Sequence, residues 1–122
     1  MENSKFFWGF ATSSCQIEGG FNEDGRTPSI WDTASDHVKN NENPHIACDF
    51  FHKYKEDIAL FKKIGINCFR LSISWSRVIN EKGEVNNKGI DFYNNVINEL
   101  LQNNIEPTIT LYHWVLPLWI HD

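Results

Sequence analysis

Along the chain the apolar residues switch between two spacings, and the switches divide it into alternating strands and helices. The opening run FFWGFATSS, residues 6–14, reads as a first strand, with Gly9 allowing close backbone approach. A long loop follows over residues 19–43. Within it Ser29 and Asp32 have capping-box spacing, which predicts a short helix there. Asn43 followed by Pro44 predicts the start of a longer helix. From there Phe51, Tyr54, Ile58, Phe61 and Ile64 recur at three- and four-residue steps, one apolar face of that helix. Gly65 closes it by supplying a left-handed cap. Residues 67–75, NCFRLSISW, alternate instead. Phe69, Leu71, Ile73 and Trp75 share one face of a strand, and Arg70, Ser72 and Ser74 share the other. A second amphipathic helix carries Ile90, Tyr93, Ile97 and Leu100 and ends near Asn104, a residue type that tolerates the left-handed conformation. Residues 107–112 form the third strand.

The stretches GINCFRLSISW from Gly65 and NIEPTITLYHW from Asn104 repeat one another at an offset of 39 residues, matching Ile66 to Ile105 and Trp75 to Trp114. Strand, helix, strand, helix, strand implies a parallel sheet with crossover helices. The second strand selects the architecture. In an open sheet covered on both sides its two faces would be apolar. The polar face with Arg70, Ser72 and Ser74 suits the lumen of a (β/α)8 barrel. Such barrels take roughly 250 residues. The 122 residues therefore read as one incomplete domain, 1–122, supplying about the first three β/α units.

Composition narrows the partners. A net charge of -5 and scattered Lys and Arg argue against nucleic acid and anionic membrane. No apolar run is long enough for a bilayer, and MENSKFFWGF lacks the features of a signal peptide, which predicts a cytoplasmic protein. Cys15, Cys48 and Cys68 read as reduced thiols. Nine Phe and five Trp signal an aromatic-rich core or platforms for stacking sugars.

In such barrels active sites sit at the carboxyl ends of the strands. The first strand end delivers Gln16 and Glu18, the second Trp75 and Arg77, the third His113 and Trp114. Gln16 and a neutral His113 both offer a donor and an acceptor, which suits adjacent hydroxyls. The Trp114 indole presents an apolar face to sugar C–H bonds. The plainer role for His113 is a core histidine satisfied by backbone. Arg70 on a lumen-facing position implies a carboxylate, either Glu18 or a residue on a strand outside these three. The plainer role for Arg70 is an ion pair that only holds the barrel together. His45, Cys48 and His52 have helical spacing and zinc-binding chemistry, but no fourth ligand is evident and the spacing of structural zinc sites is missing. GFNEDG lacks the lysine of a phosphate loop.

The run FFWGFATSSCQIEGGFNEDGRTPSIWD resembles the N-terminal signature of glycoside hydrolase family 1. ACDFFHKYKEDIALFKKIGINCFRLSISWSRV resembles that family's next block, and TLYHWVLP the third, in family order over essentially the whole chain. The resemblance implies a (β/α)8 barrel and retaining hydrolysis of β-glycosides, commonly β-glucosides, with no cofactor and no metal. It implies that Gln16 and His113 bind glycone hydroxyls in the innermost subsite, that Trp114 lines the same pocket, and that Arg70 supports the catalytic nucleophile. Glu18, Trp75 and Asp57 match positions expected to be structural supports. The chain departs from the pattern at Cys15, where Tyr is usual, at Gly20, where Ala is usual, and at Val115, where Asp is frequent. The family's acid/base motif Thr-x-Asn-Glu-Pro and nucleophile motif Thr-Glu-Asn-Gly do not occur in these residues. The alternatives are a 6-phospho-β-glycosidase, and a non-catalytic sugar-binding or structural fragment.

Overall fold

A computed structural model describes residues 5–121. Three strands, β1 (Gly9–Ala11), β2 (Cys68–Ser72) and β3 (Glu106–Thr110), form a parallel sheet in the order β1-β2-β3. The long helices α2 (Phe50–Ile64) and α4 (Asn87–Gln102) make the crossovers. Short helices α1 (Ser14–Ile17), α3 (Trp75–Val78) and α5 (Leu118–His121) follow the strands, so the carboxyl ends of the sheet carry the irregular chain. Among the described residues no helix is long and apolar enough to cross a membrane.

The core lies between one sheet face and the two long helices. Phe69 and Leu71 of β2 meet Phe50 and Ile58 of α2 and Phe92, Tyr93, Val96 and Leu100 of α4. Phe69 touches the rings of both Phe50 and Phe61, and Phe92 touches Phe51, Tyr54 and Tyr93. Much of the phenylalanine content is therefore core. The α4 face is Phe92, Tyr93, Val96 and Leu100; the expected Ile90 points outward and Ile97 is half-buried. On α2 Ile64 is exposed, because at 100° per residue it falls about 120° from Ile58, at the margin of the apolar stripe.

Several element bounds differ from the sequence reading. The first strand keeps only Gly9–Ala11 of residues 6–14 in the ladder, and Ser14 already opens α1. Gly9 is needed there, since a Cβ would lie 2.1 Å from the Cys68 carbonyl oxygen. Helix α2 starts at Phe50 rather than at Asn43–Pro44, because Ala47 and Asp49 adopt left-handed φ of 51° and 57° and interrupt any helix begun earlier. The Ser29 amide and hydroxyl both donate to the Asp32 carboxylate, the first as in a capping box, but residues 29–33 close a turn, and the single 3-10 turn that comes next starts only at Ser35. Strand β2 ends at Ser72, and Trp75 begins α3. Strand β3 ends at Thr110, with Leu111 and Tyr112 outside the ladder.

Both helix stops match expectation. Gly65 has φ 91° and Asn104 has φ 57°, both left-handed. The ladder, however, pairs residues 38 apart, not 39: Cys68 with Glu106, Arg70 with Thr108, Ser72 with Thr110. A one-residue shift of register exchanges the two faces of a strand. The ladder puts Arg70 beside Thr108 and Thr110, and its Nε donates to Thr110 Oγ1 at 2.6 Å. Cys68 Sγ lies 3.3 Å from Thr108 Oγ1 on the same face. The polar lumen side is thus continuous across β2 and β3.

Candidate functional site

Gln16, on α1 after β1, and His113 with Trp114, after β3, line one pocket of about 200 Å³ together with Ser13, Cys15 and Trp31. The pocket sits at the carboxyl ends of the parallel strands. The His113 Nδ1 atom is buried and has no hydrogen-bond partner among the described residues, so no backbone group satisfies it. The Gln16 side chain is exposed and Trp114 is 68% exposed. Cys15, Gln16 and Trp31 also line an adjoining cavity of about 440 Å³ with Val38, Glu42, Asn43, Pro44 and Ala47. Cys15 is half-buried, and burial, then the Asp32 charge, pushes its thiol up to about 11, which keeps it protonated at neutral pH.

Trp114 stands at φ 68°. For a bulky residue that conformation costs on the order of 1–3 kcal/mol and persists only where neighbours hold it. The indole Nε1 of Trp31 donates to the Trp114 carbonyl at 2.7 Å. Trp75 ties the ends of β2 and β3 together by donating its indole N–H to the Leu111 carbonyl, with its ring edge-on to Tyr112.

Arg70 has no carboxylate partner among the described residues. Beyond its Nε bond to Thr110, its terminal guanidinium nitrogens make no hydrogen bond there. Glu18, one of the two acids expected to face it, is committed elsewhere. The Nε of Arg77 donates to Glu18 Oε2 at 3.2 Å, and the Tyr93 hydroxyl donates to Oε1 at 2.6 Å. Arg77 is fully buried, donates from Nη2 to the Gly19 carbonyl, and lies over the rings of Phe51 and Phe92 at 4.3 and 5.2 Å. It reaches behind the strand ends instead of lining the pocket. Burial raises the Glu18 carboxyl and Arg77 opposes that shift; burial and the Glu18 charge raise Tyr93 well above the usual phenol value. Asp57 on α2 is half-buried, its carboxyl raised by burial and by Glu56.

The three residues with zinc chemistry do not share a helical face, since α2 begins after two of them. His45 stacks on Phe21 at 3.8 Å, Cys48 Sγ donates to the Gln16 carbonyl, and His52 bonds Asp49 and Glu23. Those two carboxylates raise the His52 pKa. No group of three His, Cys, Asp or Glu side chains among the described residues could hold a metal ion.

Two features of the site escaped the sequence reading. The buried Glu18–Arg77–Tyr93 cluster joins residues too far apart in sequence for any pattern to link. The pocket role of Trp31 had a signal, because an aromatic inside a capping-box spacing is held by the turn it belongs to.

Three parallel strands with crossover helices and a pocket at their carboxyl ends define the opening portion of a (β/α)8 barrel. The sequence model described as glycosyl hydrolase family 1 matches residues 3–122, and the chain belongs to that family. Beta-glucosidase 8 of Arabidopsis thaliana is 54% identical over 118 residues, covering 96% of this chain and 24% of its own length. Beta-glucosidase A of Acetivibrio thermocellus is 50% identical over 121 residues, covering 96% of this chain and 27% of its own. Among solved structures, the family 1 β-glucosidase from Thermotoga maritima superposes with a TM-score of 0.92 at 46% identity, over 97% of this chain and 28% of its own. The chain thus spans about a quarter of the length of these relatives, and corresponds to the N-terminal part of their barrels.

Proposed function

We propose that this chain carries the glycone-binding half of a β-glucoside hydrolase that works with retention of configuration. The observation that carries the reading is the convergence of Gln16, His113 and Trp114 on one pocket at the strand ends, with the His113 Nδ1 buried and unpartnered. In that reading Gln16 and His113 hold hydroxyls and the Trp114 ring lies against the sugar's apolar face. The β-glucosidase names of the relatives, and a structure of the Thermotoga maritima enzyme in complex with castanospermine, support a sugar-like ligand. Retaining hydrolysis needs two carboxyl groups about 5–5.5 Å apart. In this reading both carboxyl groups come from barrel units other than these three. The uncommitted nitrogens of Arg70 then face the nucleophile and keep it ionised.

The test is a chimera in which this complete chain replaces the matching quarter of the Thermotoga maritima β-glucosidase. It should hydrolyse p-nitrophenyl β-glucoside and release β-glucose first, as seen by NMR. First release of α-glucose would sink the mechanism, and an intact fold without hydrolysis would favour a non-catalytic role. In the chimera, Gln16→Ala or His113→Ala should lower kcat/KM by roughly 2–4 kcal/mol, because bonds to glycone hydroxyls strengthen in the transition state. The urea midpoint should stay near that of the parent. Loss of stability matching the loss of activity would return His113 to the core-histidine role.

Arg70→Met should move the acidic limb of the kcat/KM profile to higher pH. Removing a cation raises the pKa of a facing carboxylate, which must be ionised to attack. The rate at the optimum should also fall. An unmoved limb with activity retained would make Arg70 an ion pair of the scaffold alone.

A further inference from the structure

We propose that Trp31 is a positioning residue for this pocket: its indole N–H holds the left-handed backbone of Trp114 and so sets where His113 and Trp114 stand. The inference rests on the sugar-binding reading above, and adds to it a residue outside the three expected to touch the sugar.

Trp114 has φ 68°, a conformation that a large side chain abandons unless it is held. Its carbonyl accepts two hydrogen bonds, from the Trp31 indole at 2.7 Å and from the Leu116 amide at 3.2 Å. The second is local and travels with the turn. The first comes from 83 residues away in sequence and ties the turn to another part of the molecule. Trp31 is itself fixed. Asp32 Oδ2 accepts from the Ser29 amide at 2.6 Å and the Ser29 hydroxyl at 2.7 Å, and Arg26 Nη2 donates to the same carboxylate at 2.9 Å. Ser29 and Asp32 are buried. The loop is also laid along the chain after Trp114. The Ile30 amide donates to the Leu116 carbonyl, the Leu118 amide donates to the Pro28 carbonyl, and Ser29 pairs with Pro117 in an antiparallel bridge.

The result is a clamp. A rigid turn from the first loop grips the segment that follows β3, and the indole of Trp31 is its contact with the strained residue. His113 depends on that grip, because its Nδ1 has no partner among the described residues to fix the ring. Trp31 also lines the pocket beside His113 and Trp114, so the hydrogen bond is made at the wall itself.

The experiment uses the chimera that contains the complete chain. Trp31→Phe keeps an aromatic ring and removes the donor. Loss of one hydrogen bond corresponds to roughly tenfold, so kcat/KM for p-nitrophenyl β-glucoside should fall about tenfold with little change in the urea midpoint. The same substitution is then made beside Trp114→Gly, since glycine takes a left-handed φ without being held. There Trp31→Phe should change kcat/KM by less than about twofold. Backbone exchange gives a reading that does not need catalysis: the amides of Ile30 and Leu116 should exchange about tenfold faster in Trp31→Phe. Equal losses in both backgrounds, or a loss explained by a lower urea midpoint, would overturn the positioning role. A chimera that hydrolyses nothing defeats the glucosidase reading, and the clamp then stands or falls on the exchange rates, unchanged rates overturning it.

Discussion

Replacing Glu18 with Leu is expected to destabilise the chimera by about 3–5 kcal/mol, because it strands a buried guanidinium. Arg77 is fully buried between Phe51 and Phe92, and its Nη1 already lacks a partner among the described residues. Its compensation is the Glu18 carboxylate and the Gly19 carbonyl. Removing the acid leaves a positive charge in the hydrocarbon interior, far costlier than the loss of a surface pair. Tyr93→Phe takes away one donor to the same carboxylate and should cost less, about 1–2 kcal/mol. The pair Glu18→Leu with Arg77→Met should recover most of the stability lost by Glu18→Leu, since an apolar pair of similar volume needs no compensation. Urea midpoints of the parent, the single variants and the pair decide the matter. A Glu18→Leu variant within about 1 kcal/mol of the parent would show that the cluster relaxes or hydrates easily, against the burial seen here.

The 122-residue chain by itself is expected to lack a cooperative melt and to leave p-nitrophenyl β-glucoside intact. Strands β1 and β3 are both open edges of a parallel sheet, with backbone donors and acceptors unpaired along them. The flanking apolar residues are uncovered: Phe6 and Trp8 are each 68% exposed before β1, and Leu111 is 73% exposed after β3. Ile109, on the side of β3 that should meet a helix, is 36% exposed. Apolar surface of this extent favours association or a loosely packed state over a unique monomer. Hydrolysis should be absent because, among the described residues, no carboxylate lines the Gln16–His113 pocket. Scanning calorimetry and size-exclusion chromatography give the physical answer, and chromophore release gives the chemical one. A sharp, reversible melt of a monomer would mean that the exposed edges are stable without cover.

The sequence by itself determined the order of the three strands and the two long helices, their parallel topology and the family. The order and topology rest on short-range rules: period two for a strand, period near 3.6 for a helix, and a left-handed cap at Gly65 and Asn104; the family rests on the resemblance of three motif blocks. That Gln16, His113 and Trp114 would converge at one end of the sheet was also legible, because each follows the carboxyl end of a parallel strand. Element bounds were less legible. Nothing local announces that Ala47 and Asp49 will turn left-handed and delay α2 to Phe50, since that choice depends on what the loop meets.

Only the tertiary structure decided the register and the buried charges. The repeat is offset by 39 residues and states no register; the ladder pairs residues 38 apart, which sets Arg70 against Thr108. Register is a property of two strands and their shared faces, so neither strand's sequence states it alone. Likewise Arg70 lies within the alternating strand and Arg77 just past its end, yet Arg77 took the carboxylate that the sequence offered to Arg70. Which arginine reaches Glu18 depends on where α3 and α4 place Arg77 and Tyr93, and on a burial that makes the pairing compulsory.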